Sequence, residues 1–209
     1  MTRKAGLGWS PKDNREKLTL EEAVELFDLS QVLRANARFD LTKLQWLNGE
    51  FLRGLPEARF RALGAEALRR AGVDLTRWPP RYVDAALTTC VGKVRLLSEL
   101  PAYAGFYFTD DVALDPAALA QDFAGENSVR IQRLRAAFAE VGSFVAAELE
   151  ATLKAVAREC GVKAGVLVHP TRLACTGAKA GPSLYHLLEV LGRERVLARL
   201  DRALAAAAG

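Results

Sequence analysis

Histidine and cysteine are scarce in this 209-residue sequence, with two of the first and three of the second. With only His169 and His186 available, a hydrolase built on histidine has few options. A thiol nucleophile would have to be Cys175 beside one of them, but Cys175 lies in Leu-Ala-Cys-Thr, a setting that suits a buried, inert thiol. Cys90, Cys160 and Cys175 are too few and too scattered for a disulfide framework or a zinc knuckle, and they point to a reducing, cytoplasmic setting. There is no Gly-rich phosphate loop and no paired-His metal motif. The adjacent carboxylates Glu21/Glu22 and Asp110/Asp111 do not face one another on a helix, so they read as cap and surface residues rather than an acid/base couple. No apolar stretch is long enough to cross a bilayer, and none follows the basic start Met1-Thr-Arg-Lys-Ala-Gly-Leu7 as a signal peptide requires. Valine, isoleucine, threonine and aromatics are thin beside leucine, alanine, glutamate and arginine, which favours helix over sheet. These absences leave a helical binding module as a better reading than an enzyme.

What is present is a series of helix signals. Half of the residues are apolar, enough for a real core. Thr19-Leu-Glu-Glu22 is a capping box, and Leu20, Val24 and Phe27 recur behind it, which predicts a helix near 20–28. Asp40 caps a second helix carrying Leu41, Leu44, Leu47, Phe51 and Leu52. Pro56 opens a third, which Gly72 closes, and Pro79-Pro80 open a fourth expected to run to about Leu97 before Pro101 stops it. The aromatic stretch 102–112 reads as a hinge or short extended piece. Asp115-Pro116, then 126–140, 144–160, the stretch from Gly181-Pro182 to Leu191, and 193–207 complete an all-α array. Natural seams fall near Gly54–Pro56 and Thr109–Asp111.

The net charge of +4 is unevenly spread. Residues 1–162 carry 22 Lys/Arg and 22 Asp/Glu, whereas residues 163–209 carry seven against three. A local positive field of this kind suits an anionic partner, although a solvated helix face rich in arginine explains the charge as well. The densest constellation is His169 to Leu184, with a proline break, the cations Arg172 and Lys179, the hydroxyls of Thr176 and Ser183, and a helix start at Pro182. Free amides at such a start can hold a phosphate or the edge of an unstacked base. A helix-helix corner that needs its glycines and prolines for geometry alone fits equally.

A wider set of anchors then falls into order along the chain. Leu7-Gly-Trp-Ser-Pro11 is followed by Leu20-Glu-Glu22, Phe27, Phe39-Asp40-Leu41 and Lys43-Leu-Gln-Trp-Leu-Asn48. Phe106-Tyr-Phe108, Gly161-Val-Lys163, His169-Pro-Thr-Arg172, Thr176-Gly177, Gly181-Pro-Ser-Leu184 and Leu188-Glu-Val-Leu-Gly-Arg-Glu-Arg195 come next. By their number and order these anchors resemble the C-terminal portion of bacterial glutamyl-tRNA synthetases, over essentially the whole chain. The resemblance implies a stem-contact remnant over 1–54 and two helical anticodon-binding domains over 55–110 and 111–209. It implies glutamate-accepting tRNA as partner, in a monomer joined in cis to a catalytic domain. Neither His-Ile-Gly-His nor Lys-Met-Ser-Lys-Ser type signatures occur here, so the ATP, Mg and glutamate sites are expected upstream of Met1, and this chain is expected to be non-catalytic. The start Leu7-Gly-Trp-Ser-Pro11 continues a domain already under way, which suggests a truncation.

Carried over residue by residue, Arg172 matches the arginine that approaches the anticodon bases. Gly181, Pro182 and Leu184 match the loop and helix start that pack against them, with Thr176 and Lys179 alongside. Lys93 falls where the family places arginine or glutamine to read the third anticodon base. Lysine is a point charge without the arginine fork, which bears on the choice between glutamate and glutamine anticodons. Leu33–Arg38 departs from the family pattern, and no RNA contact is carried onto it. Trp46 and Asn48 read as core packing and a helix-surface or capping role. The competing reading is a helical protein-interaction module that has lost RNA binding.

Overall fold

A computed structural model describes Trp9, residues 18–32 and residues 40–208. The sequence leaves room for one extended remnant before residue 20; that stretch, apart from Trp9 and residues 18–19, and the whole Leu33–Arg38 departure lie outside the described residues. Every helix and turn described is helical in type: α1 (Leu20–Leu26), α2 (Leu41–Gly54), α3 (Glu57–Arg70), α4 (Pro80–Thr88), α5 (Leu100–Ala104), α6 (Pro116–Asp122), α7 (Glu126–Glu140), α8 (Ala146–Glu159), α9 (Gly165–Thr176), α10 (Leu184–Leu191) and α11 (Arg193–Ala208). Short 3-10 turns fill several of the connections. The chain is all-α among the described residues.

Two compact units result, Met1–Phe51 and Leu52–Gly209, with the boundary inside α2. In the first, Thr19 and Glu22 exchange the two hydrogen bonds of the capping box, and Phe27 meets Trp9 edge-on at 5.5 Å. Asp40 caps α2 by accepting from the Lys43 amide at 2.9 Å.

The second unit is built around α7, α9 and α11. Ile131, Leu134 and Phe138 of α7, Leu167 and Leu173 of α9, and Val196, Leu200 and Ala203 of α11 are all buried. The i, i+3, i+4 spacing gives α7 and α11 one apolar stripe each, while α9 is buried over a wider arc that takes in both Leu167 and Leu173, and these faces close on one another. α8 and α10 pack on one side of this core and α6 beside α9 and α11. α3, α4 and α5 form the other end, where Gly64 lets α3 come close: a Cβ there would meet Leu87 at 2.9 Å and Leu100 at 3.2 Å. The expected divide near residue 110 falls inside this unit, at a point that arginines of α11 cross.

Trp46, read from the sequence as core packing, is 40% exposed, and three expectations in the second unit also differ from what is seen. α4 ends at Thr88 rather than near Leu97, because the Thr89 hydroxyl and Cys90 thiol both donate to the Ala86 carbonyl and Gly92 turns the chain with φ +69°. Pro101 does not stop a helix; it sits in the first turn of α5, where its missing N–H costs nothing. The aromatic stretch is helical rather than extended, since α5 runs into a 3-10 turn, Gly105–Phe108, that buries Phe106, Tyr107 and Phe108.

Candidate nucleic-acid interface

The stretch around His169-Pro-Thr-Arg172 is a helix, not a break. Pro170 lies inside α9 and removes one backbone donor, while Thr171 donates its hydroxyl to the Leu167 carbonyl at 2.7 Å. Seven of the helix's residues are buried, and that packing outweighs the lost rung. The corner comes later, at Gly177, whose φ of +72° ends α9 in the left-handed region. The following six residues return the chain to α10.

Arg172 sits half-buried on α9 and donates from Nη1 to the Pro182 carbonyl at 2.6 Å. Gly181 leaves space for it: a Cβ at that position would lie 3.3 Å from Arg172 Nη1. Burial pulls the guanidinium below the usual arginine range, and the nearby phenols of Tyr103 and Tyr107 and the Cys175 thiol act in the opposite sense. No carboxylate stands among these neighbours. Of five N–H donors, one has an acceptor among the described residues. Arg172, Gly181 and Pro182 are thus brought together as one small constellation.

The other sequence candidates divide. Thr176 is buried, and its hydroxyl serves the Arg172 and Ala178 carbonyls and the Ala178 amide at 2.9–3.1 Å, so it shapes the corner. Leu184 is the first residue of α10 and lies in the core. Lys179 is exposed and reaches Gln121 of α6 at 3.1 Å. Lys93 is exposed in the turn after α4, where its amide donates to the Cys90 carbonyl. Ser183, before α10, bonds His186 Nδ1 at 3.0 Å rather than a backbone amide of its helix.

Cys175 is fully buried and burial pushes its thiol up to about 12, whereas His169 is exposed. Six residues apart on one helix, they point about 120° away from each other. A thiolate and its base are not assembled here.

The positive surplus of the last quarter is mostly spent inside the fold. Arg193 donates to the Ala139 and Val141 carbonyls and lies 5.5 Å over the Phe144 ring. Arg195 donates to the Tyr107 and Thr109 carbonyls and to the Tyr82 hydroxyl, with its guanidinium 4.6 Å over Trp78. Arg199 donates to the carbonyls of Cys175, Phe106 and Thr109, and Arg202 to Asp111 and the Val112 carbonyl. Except for Val112, which lies in the link before α6, these carbonyls sit in or just past the end of a helix or a 3-10 turn, where acceptors lack a partner in the same element. The guanidinium fork serves several of them at once. Reading the surplus as a field missed this role, although Arg199 lies three residues after Val196 and four before Ala203, on the buried stripe.

Residues 60–204 match the family model described as anticodon binding domain. The chain belongs to that family. The matched span begins in α3, ends in α11 and contains every site residue named above. Among proteins, the chain is 37% identical over 194 residues to the glutamate–tRNA ligase of Methylacidiphilum infernorum, covering 93% of this chain and 44% of that protein. It is 38% identical over 210 residues to that of Solibacter usitatus, covering 95% and 42%. Among solved structures, a glutamate tRNA ligase from Elizabethkingia meningosepticum in complex with its amino acid superposes with a TM-score of 0.83 at 25% identity, covering 95% of this chain and 39% of that one. The chain therefore spans about two fifths of the length of these relatives, and the match lies in their C-terminal part.

Proposed function

We propose that this chain binds tRNA by its anticodon loop, as the C-terminal part of a glutamate–tRNA ligase. The observation that carries the reading is Arg172: a half-buried guanidinium on the anticodon-binding fold with no carboxylate beside it and most of its donors unclaimed among the described residues. Desolvating a cation is costly unless acceptors satisfy it. The carbonyl and ring-nitrogen edges of an unstacked base, or a loop phosphate, supply them, and single-stranded loops are where RNA offers such edges. Gly181 and Pro182 hold the guanidinium at the right place, and Lys93 adds a point charge at the position that would weigh glutamate against glutamine anticodons. Aminoacylation, with its ATP and Mg, belongs in this reading to the part of such a ligase outside the chain, and the setting is cytoplasmic.

The test is titration with glutamate-accepting tRNA and an unrelated tRNA at several salt concentrations. Preference for the first is expected, with a slope of about −0.7 in log K against log salt for each single-strand phosphate contacted. Arg172→Ala is expected to cost roughly 1–3 kcal/mol of that binding while leaving thermal unfolding nearly unchanged. Equal, weak and salt-insensitive binding to both RNAs would overturn the reading in favour of a protein-interaction module.

A further inference from the structure

We infer that Arg53, at the end of α2, binds the RNA beside Lys93 and supplies the two-pronged donor that a lysine lacks. The inference rests on the anticodon-binding reading and adds to it a residue that the sequence motifs do not mark.

Lys93 stands on a turn that the fold holds firmly. After α4 the amides of Cys90, Val91 and Lys93 donate to the carbonyls of Leu87, Thr88 and Cys90 at 3.0–3.2 Å. Gly92 supplies the left-handed residue that the reversal needs, with φ +69°. Val94, 4% exposed, then anchors the chain in the core, with the exposed Lys93 and Arg95 on either side of it. The Glu99 carboxylate closes the segment by accepting from the Arg95 amide at 2.9 Å.

Arg53 reaches this turn from about forty residues away. It is the basic residue in the last turn of α2 and belongs to the same compact unit as the turn. Its side chain crosses Gly92: the position that a Cβ of Gly92 would take lies 3.6 Å from Arg53 Cγ and 3.9 Å from Arg53 Nε. The guanidinium therefore sets out one residue from Lys93, over a glycine that has no side chain to cover it. Both Arg53 and Lys93 are exposed.

A cation in the last turn complements the helix dipole, and a lysine would serve that purpose as well as an arginine. What an arginine adds is a planar fork that matches two neighbouring acceptors, such as the oxygens of a phosphate or the edge of a base. Glu50 stands three residues back on α2, the spacing of a surface ion pair, and such pairs are weak enough to yield to a bidentate acceptor. Lys93 then acts as a point charge that draws the RNA to the turn, and Arg53 fixes how its acceptors lie. A rigid turn suits this division, because neither cation has to be ordered from a mobile loop.

The test titrates the intact chain with anticodon stem-loops that carry a glutamate or a glutamine anticodon. Arg53→Lys keeps the charge and the dipole complement, so it is expected to unfold like the parent. It is expected to bind the glutamate stem-loop about 2- to 10-fold more weakly, as the loss of one net hydrogen bond implies. Lys93→Arg places a fork on the turn itself, and in that background Arg53→Lys is expected to cost about twofold or less. Arg53→Met distinguishes the two acceptors, with Arg53→Gln in its place if the methionine variant does not fold. An equal loss on both stem-loops with a salt slope shallower by about 0.7 supports a phosphate as the partner, and a changed ratio between the stem-loops supports a base edge. An Arg53→Lys variant that binds like the parent overturns the inference, as does a loss that Lys93→Arg does not relieve. The two proposals fail separately: a parent that does not prefer glutamate-accepting tRNA ends the anticodon reading, whereas a binding parent matched by Arg53→Lys ends only the role of Arg53.

Discussion

Arg199→Met is expected to destabilise the unit Leu52–Gly209 by roughly 3–5 kcal/mol, read from the midpoint of urea unfolding with an unchanged slope. Arg199 is 3% exposed and donates to three carbonyls: Cys175 near the end of α9, Phe106 in the 3-10 turn, and Thr109 just past it. Each hydrogen bond from a charged donor is worth about 1.5–3 kcal/mol, and methionine offers no donor to replace any of them. The loss is offset in part because the cation itself is costly to bury, which brings the net below the sum of three bonds. For a unit of this size the fall in Tm is expected to be about 10 °C. Arg199→Lys keeps the charge as a single point, serves fewer of the three acceptors, and is expected to lie between the two. Burial first, and the neighbouring Arg195 second, lower the Arg199 guanidinium to about 10. Below that value it is charged in the folded and the unfolded chain alike, so its contribution is expected to be flat between pH 6 and 9. A midpoint that moves by less than the effect of an exposed arginine substitution would return Arg199 to the surface field.

Gly177→Ala is expected to cost roughly 3–4 kcal/mol, by two separable effects. The φ of +72° alone costs an L-residue about 1–2 kcal/mol. A Cβ there would also lie 2.4 Å from the Ala113 carbonyl oxygen and 2.6 Å from Val112 Cγ1. A backbone oxygen cannot rotate away, so the 112–113 segment must shift, together with the Val112 carbonyl that Arg202 holds. Gly161→Ala supplies the control, because Gly161, which follows α8, has φ +67° with nothing within 4 Å of its Cβ position. Its cost is expected to stay near the conformational 1–2 kcal/mol. Equal losses at the two glycines in denaturant unfolding would show that the contact with Ala113 contributes nothing.

Both residues mark where the sequence runs out as a guide. The helices from α6 to α8 and the two at the C-terminus are legible in the chain because their signals are local: Asp115 before Pro116, Gly161 after Arg158, Gly192 between two apolar-periodic segments. The same local logic misread Pro101 and Pro170 as stops. A proline costs a helix little in its first turn, and within α9 the burial of Leu167, Thr171, Ala174 and Cys175 outweighs the missing N–H. The candidate site was legible in part. Arg172, Gly181 and Pro182 stood out as a cluster within thirteen residues, and they lie together in space. Thr176 and Leu184 stood in the same cluster, but they serve the corner and the core.

What the sequence determined by itself is the all-helical class, most helix boundaries and the family to which the anchors belong. These depend on composition, period and caps, which act over a few residues. Tertiary structure alone decided what the arginines do. A guanidinium looks the same in a sequence whether it faces solvent, a base or a backbone carbonyl. Only the packing of α11 against the turn at Phe106–Phe108 turns the basic last quarter from a field into a set of clamps, and leaves Arg172 with donors to spare.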